Sequence, residues 1–178
     1  IAELTEHKVE GRQTELDVQG IKGHRDAVID GVTVDVKSAN SRGMYKFKNH
    51  ALERDDPFGY MDQISLYAYA GKTDPLVKEP KSVAFLAVDK ELGHLVLDKY
   101  QARPTNYDMA MDRKKKIVAS PVPPAKGFSD EPDGASGNRK LGLTCSYCSF
   151  KTACWKDANE GKGLRTFIYS TGPRYLTK

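Results

Sequence analysis

Gly23-His24-Arg25-Asp26-Ala27-Val28-Ile29-Asp30-Gly31-Val32-Thr33-Val34-Asp35-Val36-Lys37-Ser38 is the stretch on which the fold turns. Residues 23–29 alternate in polarity, as a strand half-buried in a sheet does. Asp30-Gly31 is a dipeptide that closes two-residue hairpins, because both positions must tolerate positive φ. Beyond the turn, Val32, Val34 and Val36 point to one face and Thr33, Asp35 and Lys37 to the other. The valine content fits packing on a pleated surface. The hairpin folds Asp26 back toward Asp35, and Lys37 follows on the face of Asp35.

Working outward, residues 15–19 alternate as a further strand. Residues 40–56 read as a loop or irregular segment carrying Arg42, Tyr45, Lys46, Phe47 and Lys48. Asp56 is a suitable N-cap and Pro57 a suitable first helical residue, so a helix is expected through Gln63 and Tyr67 to about Ala70, ended by Gly71. Residues 82–89 and 92–100 have strand character, with a turn at 90–93. Residues 105–118 read as a helix, broken at 120–124, and 125–140 as an exposed loop rich in Gly, Ser, Asp and Pro. The tail after 161 has aromatics but no clear period. The expected architecture is α/β: a core over 1–125 with a central mixed sheet flanked by helices, a loop over 126–140, and a small cysteine-containing segment over 141–178 packed on the core.

The chain has 178 residues, 39% hydrophobic and 29% charged, which suits one globular domain with a real core. No apolar run reaches the length of a membrane span, and no secretory leader opens the chain. The chain begins at Ile1 rather than Met, from which upstream residues are expected to have been removed. The net charge of +4 is mild. Its distribution is more telling: Asp26, Asp30 and Asp35 cluster, flanked by basic residues at 42–48 and 113–116. Cys145, Cys148 and Cys154 are the only cysteines. An odd, tight set is a poor disulfide framework and points to an intracellular, cytoplasmic setting.

Phosphodiester hydrolysis needs a metal held by hard oxygens, an activated water, and a cation against the charge growing on phosphate. Two carboxylates and a lysine supply these if they converge, although Asp-x-Lys alone also describes an ordinary charged strand face. The order Gly23-His24-Arg25-Asp26, Asp35-Val36-Lys37-Ser38, then Gln63-Ile64-Ser65-Leu66-Tyr67 resembles the PD-(D/E)XK nuclease superfamily, and most closely its RecB-type exonuclease branch with a Q-x-x-x-Y helix. The resemblance implies a restriction-endonuclease-like fold, with Asp26, Asp35 and the backbone carbonyl of Val36 binding Mg²⁺ or Mn²⁺. It further implies that Lys37 positions the attacking water and stabilises charge, and that Gln63 and Tyr67 hold the DNA strand or brace the catalytic residues. An upstream acidic or histidine ligand is usual in that family, and Glu3, Glu6 and His7 are the candidates. A structure-specific endonuclease of the same superfamily and an inactive nucleic-acid-binding module are the alternatives.

The spacing C-x₂-C-x₅-C over Cys145, Cys148 and Cys154 suits thiolate ligation. It resembles the cysteine triplet of AddB-type and CRISPR-associated iron–sulfur nucleases, which implies a 4Fe–4S cluster with a fourth ligand not found in this chain. Zinc with a histidine from His7, His24, His50 or His94, or simple packing beside Trp155, are the other readings, and convergence of the three sulfurs is the expectation that separates both metal readings from packing. Arg42, Tyr45, Lys46 and Lys48, with Phe47, suit phosphate contact and base stacking. The expected partner is DNA, single-stranded or at duplex ends, in replication, recombination or repair, with a helicase or recombination protein alongside.

Overall fold

The computed structural model describes residues 6–178, so Glu3 lies outside the described residues. The chain divides into two compact units, Ile1–Ser120 and Pro121–Lys178. In the first unit the strands are β1 (Val9–Glu10), β2 (Thr14–Val18), β3 (Ile21–Arg25), β4 (Ala27–Ile29), β5 (Val32–Ala39), β6 (Ser82–Asp89) and β7 (Leu95–Gln101), and the helices are α1 (Ser41–Lys48), α2 (Tyr60–Ala70) and α3 (Tyr107–Ala119). Five strands form a sheet in the order β1-β4-β5-β6-β7, and β2 and β3 form a hairpin of their own. Only β5 and β6 pair in parallel within the sheet; the other pairs are antiparallel. A parallel pair requires a crossover, and residues 40–81 with α1 and α2 provide it. The unit is a mixed α/β fold with a central mixed sheet flanked by helices.

The Asp30-Gly31 turn has φ of +50° and +83° at its two residues, the pattern of a two-residue hairpin. It pairs Ile29 with Val32 and Ala27 with Val34. Gly31 is required twice over, since a Cβ there would lie 2.6 Å from Lys78 Cβ. Val83, Phe85 and Ala87 of β6 pack under Met44, Phe47, Met61, Ile64 and Ala68 of the two crossover helices. Ala27, Ile29, Val32, Val34 and Ala84 form the cluster on the opposite face. Register matches Thr33, Asp35 and Lys37 with Val83, Phe85 and Ala87, so the three polar residues of β5 stand on the helix-covered face.

Four expectations are corrected. Residues 41–48 are helix rather than loop: the Asn40 side chain caps the helix by accepting from Gly43 N at 3.0 Å, and Met44 and Phe47 bury its inner face. Phe47 is therefore core, packed on Phe85 with ring centroids 5.8 Å apart, and is not free to stack on a base. The strand expected over 23–29 is two strands, broken at Asp26. The helix expected from Pro57 begins at Tyr60, because Gly59 is left-handed at φ +72°.

In the second unit, β8 (Glu131–Pro132), β9 (Arg139–Lys140), β10 (Arg165–Tyr169) and β11 (Gly172–Leu176) form an antiparallel sheet in the order β10-β11-β9-β8. Its short helices are α4 (Leu143–Tyr147), α5 (Lys151–Cys154) and α6 (Ala158–Gly161). Leu141, Trp155 and Ala158 form its core, with Cys145, Leu164 and Tyr175 against them. The tail, which has no clear period in sequence, carries the hairpin of β10 and β11; every residue of β10 is exposed, so no buried face marks the strand. Among the described residues no helix is long and apolar enough to cross a membrane.

Candidate active site

Continuing the β4–β5 register one step past Ala27 and Val34 sets Asp26 opposite Asp35. The backbone ladder stops there, and the Asp26 side chain takes over: Val36 N donates to Asp26 Oδ2 at 2.7 Å, and Gln13 Nε2 donates to Oδ1 at 3.0 Å. A strand residue turns its N–H and C=O to the same edge, so the Val36 carbonyl faces the strand edge on which Asp26 lies. Asp35 is buried, and Lys37 Nζ stands 2.6 Å from its Oδ2 as an ion pair. That contact lies off the hydrogen-bond line, so the buried Oδ2 has charge beside it but no aligned donor. Burial pushes the Asp35 carboxyl above its ordinary range; Lys37 pulls it back, and the charge of Asp26 adds to the rise.

Lys37 continues the chain into α2. Its Nζ donates to Gln63 Oε1 at 3.4 Å, and Gln63 Nε2 donates to the Tyr67 hydroxyl at 3.2 Å. Gln63 and Tyr67, four residues apart, share a helical face. The Lys37 ammonium also lies 4.7 Å from the centre of the Tyr60 ring, an attractive cation–π distance. Asp35, Lys37, Gln63 and Tyr67 therefore form one connected polar chain, with Asp26 across the strand edge.

Asp26, Asp35 and the Val36 carbonyl are hard oxygen donors of the type Mg²⁺ and Mn²⁺ take. The donor set fits such a cation in type. Of the described candidates for an additional side-chain ligand, His7 Nδ1 is bonded to Asp30 at 2.6 Å and Glu6 is exposed. Among the described residues, no group of three or more His, Cys, Asp or Glu side chains is set to hold a metal ion.

The same finding bears on the cysteines. Cys145 and Cys148 are half-buried, Cys154 is exposed, and all three are free thiols. Of the histidines weighed as a fourth ligand, His7 pairs with Asp30 and His50 with Asp98, at 2.7 Å, while His24 lies 4.0 Å from Glu15. Among the described residues the three cysteines are not gathered into a group set to hold a metal ion.

No family model, curated protein or solved structure matches the chain.

Of the residues expected to meet DNA, Arg42, Tyr45 and Lys48 lie on the exposed side of α1. Lys46 is instead paired with Asp55 at 2.8 Å. Sequence reasoning missed Arg25, which is wholly buried beside Asp26 and paired with Asp74. Its Nε and Nη1 have no hydrogen-bond partner, and Nη1 lies 3.0 Å from where a Cβ on Gly71 would sit, at the end of α2. A cation suits a helix C-terminus, so Arg25 ties the strand leading into Asp26 to the helix that carries Gln63 and Tyr67. Inward alternation along β3 was the available signal. Gln13 and Tyr60 were missed because neither has a sequence signature.

Proposed function

We propose that the chain is a Mg²⁺- or Mn²⁺-dependent deoxyribonuclease of the PD-(D/E)XK kind, acting as an exonuclease on DNA ends or single strands. The observation that carries this reading is the polar chain from Asp35 through Lys37 and Gln63 to Tyr67, with Asp26 at the adjoining strand edge. A buried carboxylate is costly to hold charged beside a half-buried ammonium for stability alone, which favours a chemical role.

In this reading Asp26, Asp35 and the Val36 carbonyl hold the cation. When bound, it would polarise the phosphate and lower the pKa of a water. The Lys37 ammonium, already drawn to the carboxylate side of the strand, orients that water and offsets negative charge growing on the phosphate. Gln63 keeps Lys37 from swinging away, and Tyr67 fixes the Gln63 amide in turn. Arg42, Tyr45 and Lys48 offer the outer contacts to the strand. A 4Fe–4S cluster at Cys145, Cys148 and Cys154 remains a proposal from the motif, as do a restriction-endonuclease-like fold, a helicase or recombination partner and a cytoplasmic location.

The test is cleavage of end-labelled linear DNA by the purified chain in Mg²⁺, Mn²⁺ or EDTA, beside a circular single strand. Metal-dependent release from ends with the circle intact supports the exonuclease reading. Cutting of the circle moves the assignment to an endonuclease, and no metal-dependent cutting of either substrate overturns the enzyme reading.

A further inference from the structure

We propose that the cleft bounded by the β2–β3 hairpin, α2 and α3 receives the unpaired nucleotides of a DNA strand next to the scissile phosphate. The ligand's identity rests on the nuclease reading above; the cleft itself does not. It encloses about 530 Å³, within the size range of sites that take organic molecules. Its walls are mainly apolar, with Leu16 and Ile21 from the hairpin, Leu66 from α2, and Ala110 and Met111 from α3; Lys22 and Asp62 also line it, the carboxylate of Asp62 being paired with Arg103 at 2.7 Å. Phe58 and Tyr67 add aromatic surface.

Two features connect this cleft to the polar chain. Gln63 and Tyr67 line it and also belong to the chain that runs to Lys37 and Asp35. The Tyr67 ring lies against the backbone of β3 at Gly23, where a Cβ would come within 3.0 Å of its Cε1. That contact fixes the ring as one wall of the cleft. Lys114 from α3 also lines it and supplies a cation suited to phosphate. Apolar walls, a fixed aromatic face, an amide and a cation match a base with its phosphate. In a duplex the base faces are buried by stacking, and only an unpaired strand offers them to aromatic and apolar side chains.

The experiment is fluorescence anisotropy with the full chain in EDTA, using labelled oligothymidylate and a labelled blunt duplex. Ala110→Phe fills the cleft from α3, and Ile21→Glu charges the opposite wall; neither residue belongs to the polar chain. Each variant is expected to weaken oligothymidylate binding roughly tenfold or more, the scale of losing one stacked base, while duplex binding is unchanged. If one variant fails to fold by circular dichroism, the other gives the result from the facing wall. Parent affinity retained in the folded variants, or no oligothymidylate binding by the parent, overturns the proposal. Because binding is read without metal, a chain that binds through the cleft and cuts nothing keeps this inference and loses the nuclease reading. A chain that cuts while both variants bind normally does the reverse.

Discussion

Lys37 is where the strand, the helix and the proposed chemistry meet. It neutralises Asp35, leans on the Tyr60 ring and is held by Gln63. Lys37→Ala should lower the cleavage rate at least ~100-fold, the scale of removing one transition-state donor, with DNA affinity largely kept; near-normal turnover would remove Lys37 from the mechanism. Asp35 supports a separate prediction about stability. Burial holds its carboxyl above the ordinary value of 3.8. The native chain thus keeps a proton that the unfolded chain releases, so this group's contribution to stability is full below 3.8 and is lost as pH rises through the raised native value. Urea titrations in EDTA should therefore show the parent losing stability relative to Asp35→Asn as pH rises, and parallel curves for the two would contradict the burial argument.

At the scale of elements, legibility followed how local the causes were. The β4–β5 hairpin could be read because Asp30-Gly31 states its own turn and the valines state the period; the Asp26–Asp35 register follows from them. The helix α1 could not, because eight residues with a glycine inside and five polar side chains give little pattern, and burial of Met44 and Phe47 depends on β6. The start of α2 was half legible. Asp56 does cap the helix, but from outside it: Oδ1 accepts from Tyr60 N at 2.9 Å and Oδ2 from Met61 N at 2.8 Å. The left-handed Gly59 shifts the first helical residue, and Asp56 reaches across the turn. Asp56→Ala should cost about 1 kcal/mol, as loss of a helix cap does. Since α2 carries Gln63 and Tyr67, the same change should lower activity, and a variant unchanged in both urea midpoint and rate would show the cap to be dispensable.

At the scale of the molecule, the five residues proposed for chemistry all belong to Ile1–Ser120 and the three cysteines all belong to Pro121–Lys178. Motif order along the chain made that separation readable. The internal organisation of the second unit was not, because two strands of its sheet are two residues long, a third is wholly exposed, and the burial of β11 follows no alternation. The division makes a testable claim about where activity resides. Residues 121–129 are exposed throughout and without regular structure, and they include Val122 and Phe128, apolar side chains open to a protease. Such segments are where nicking concentrates. Brief digestion with a protease that cuts at apolar residues should cleave first in this stretch. Asp26, Asp35, Lys37, Gln63 and Tyr67 are held by bonds made within the first unit, so the released fragment should keep its circular dichroism and its metal-dependent cleavage. A fragment that stays folded but no longer cuts would show that the second unit contributes to the reaction, and the cysteine segment would then be the first place to look.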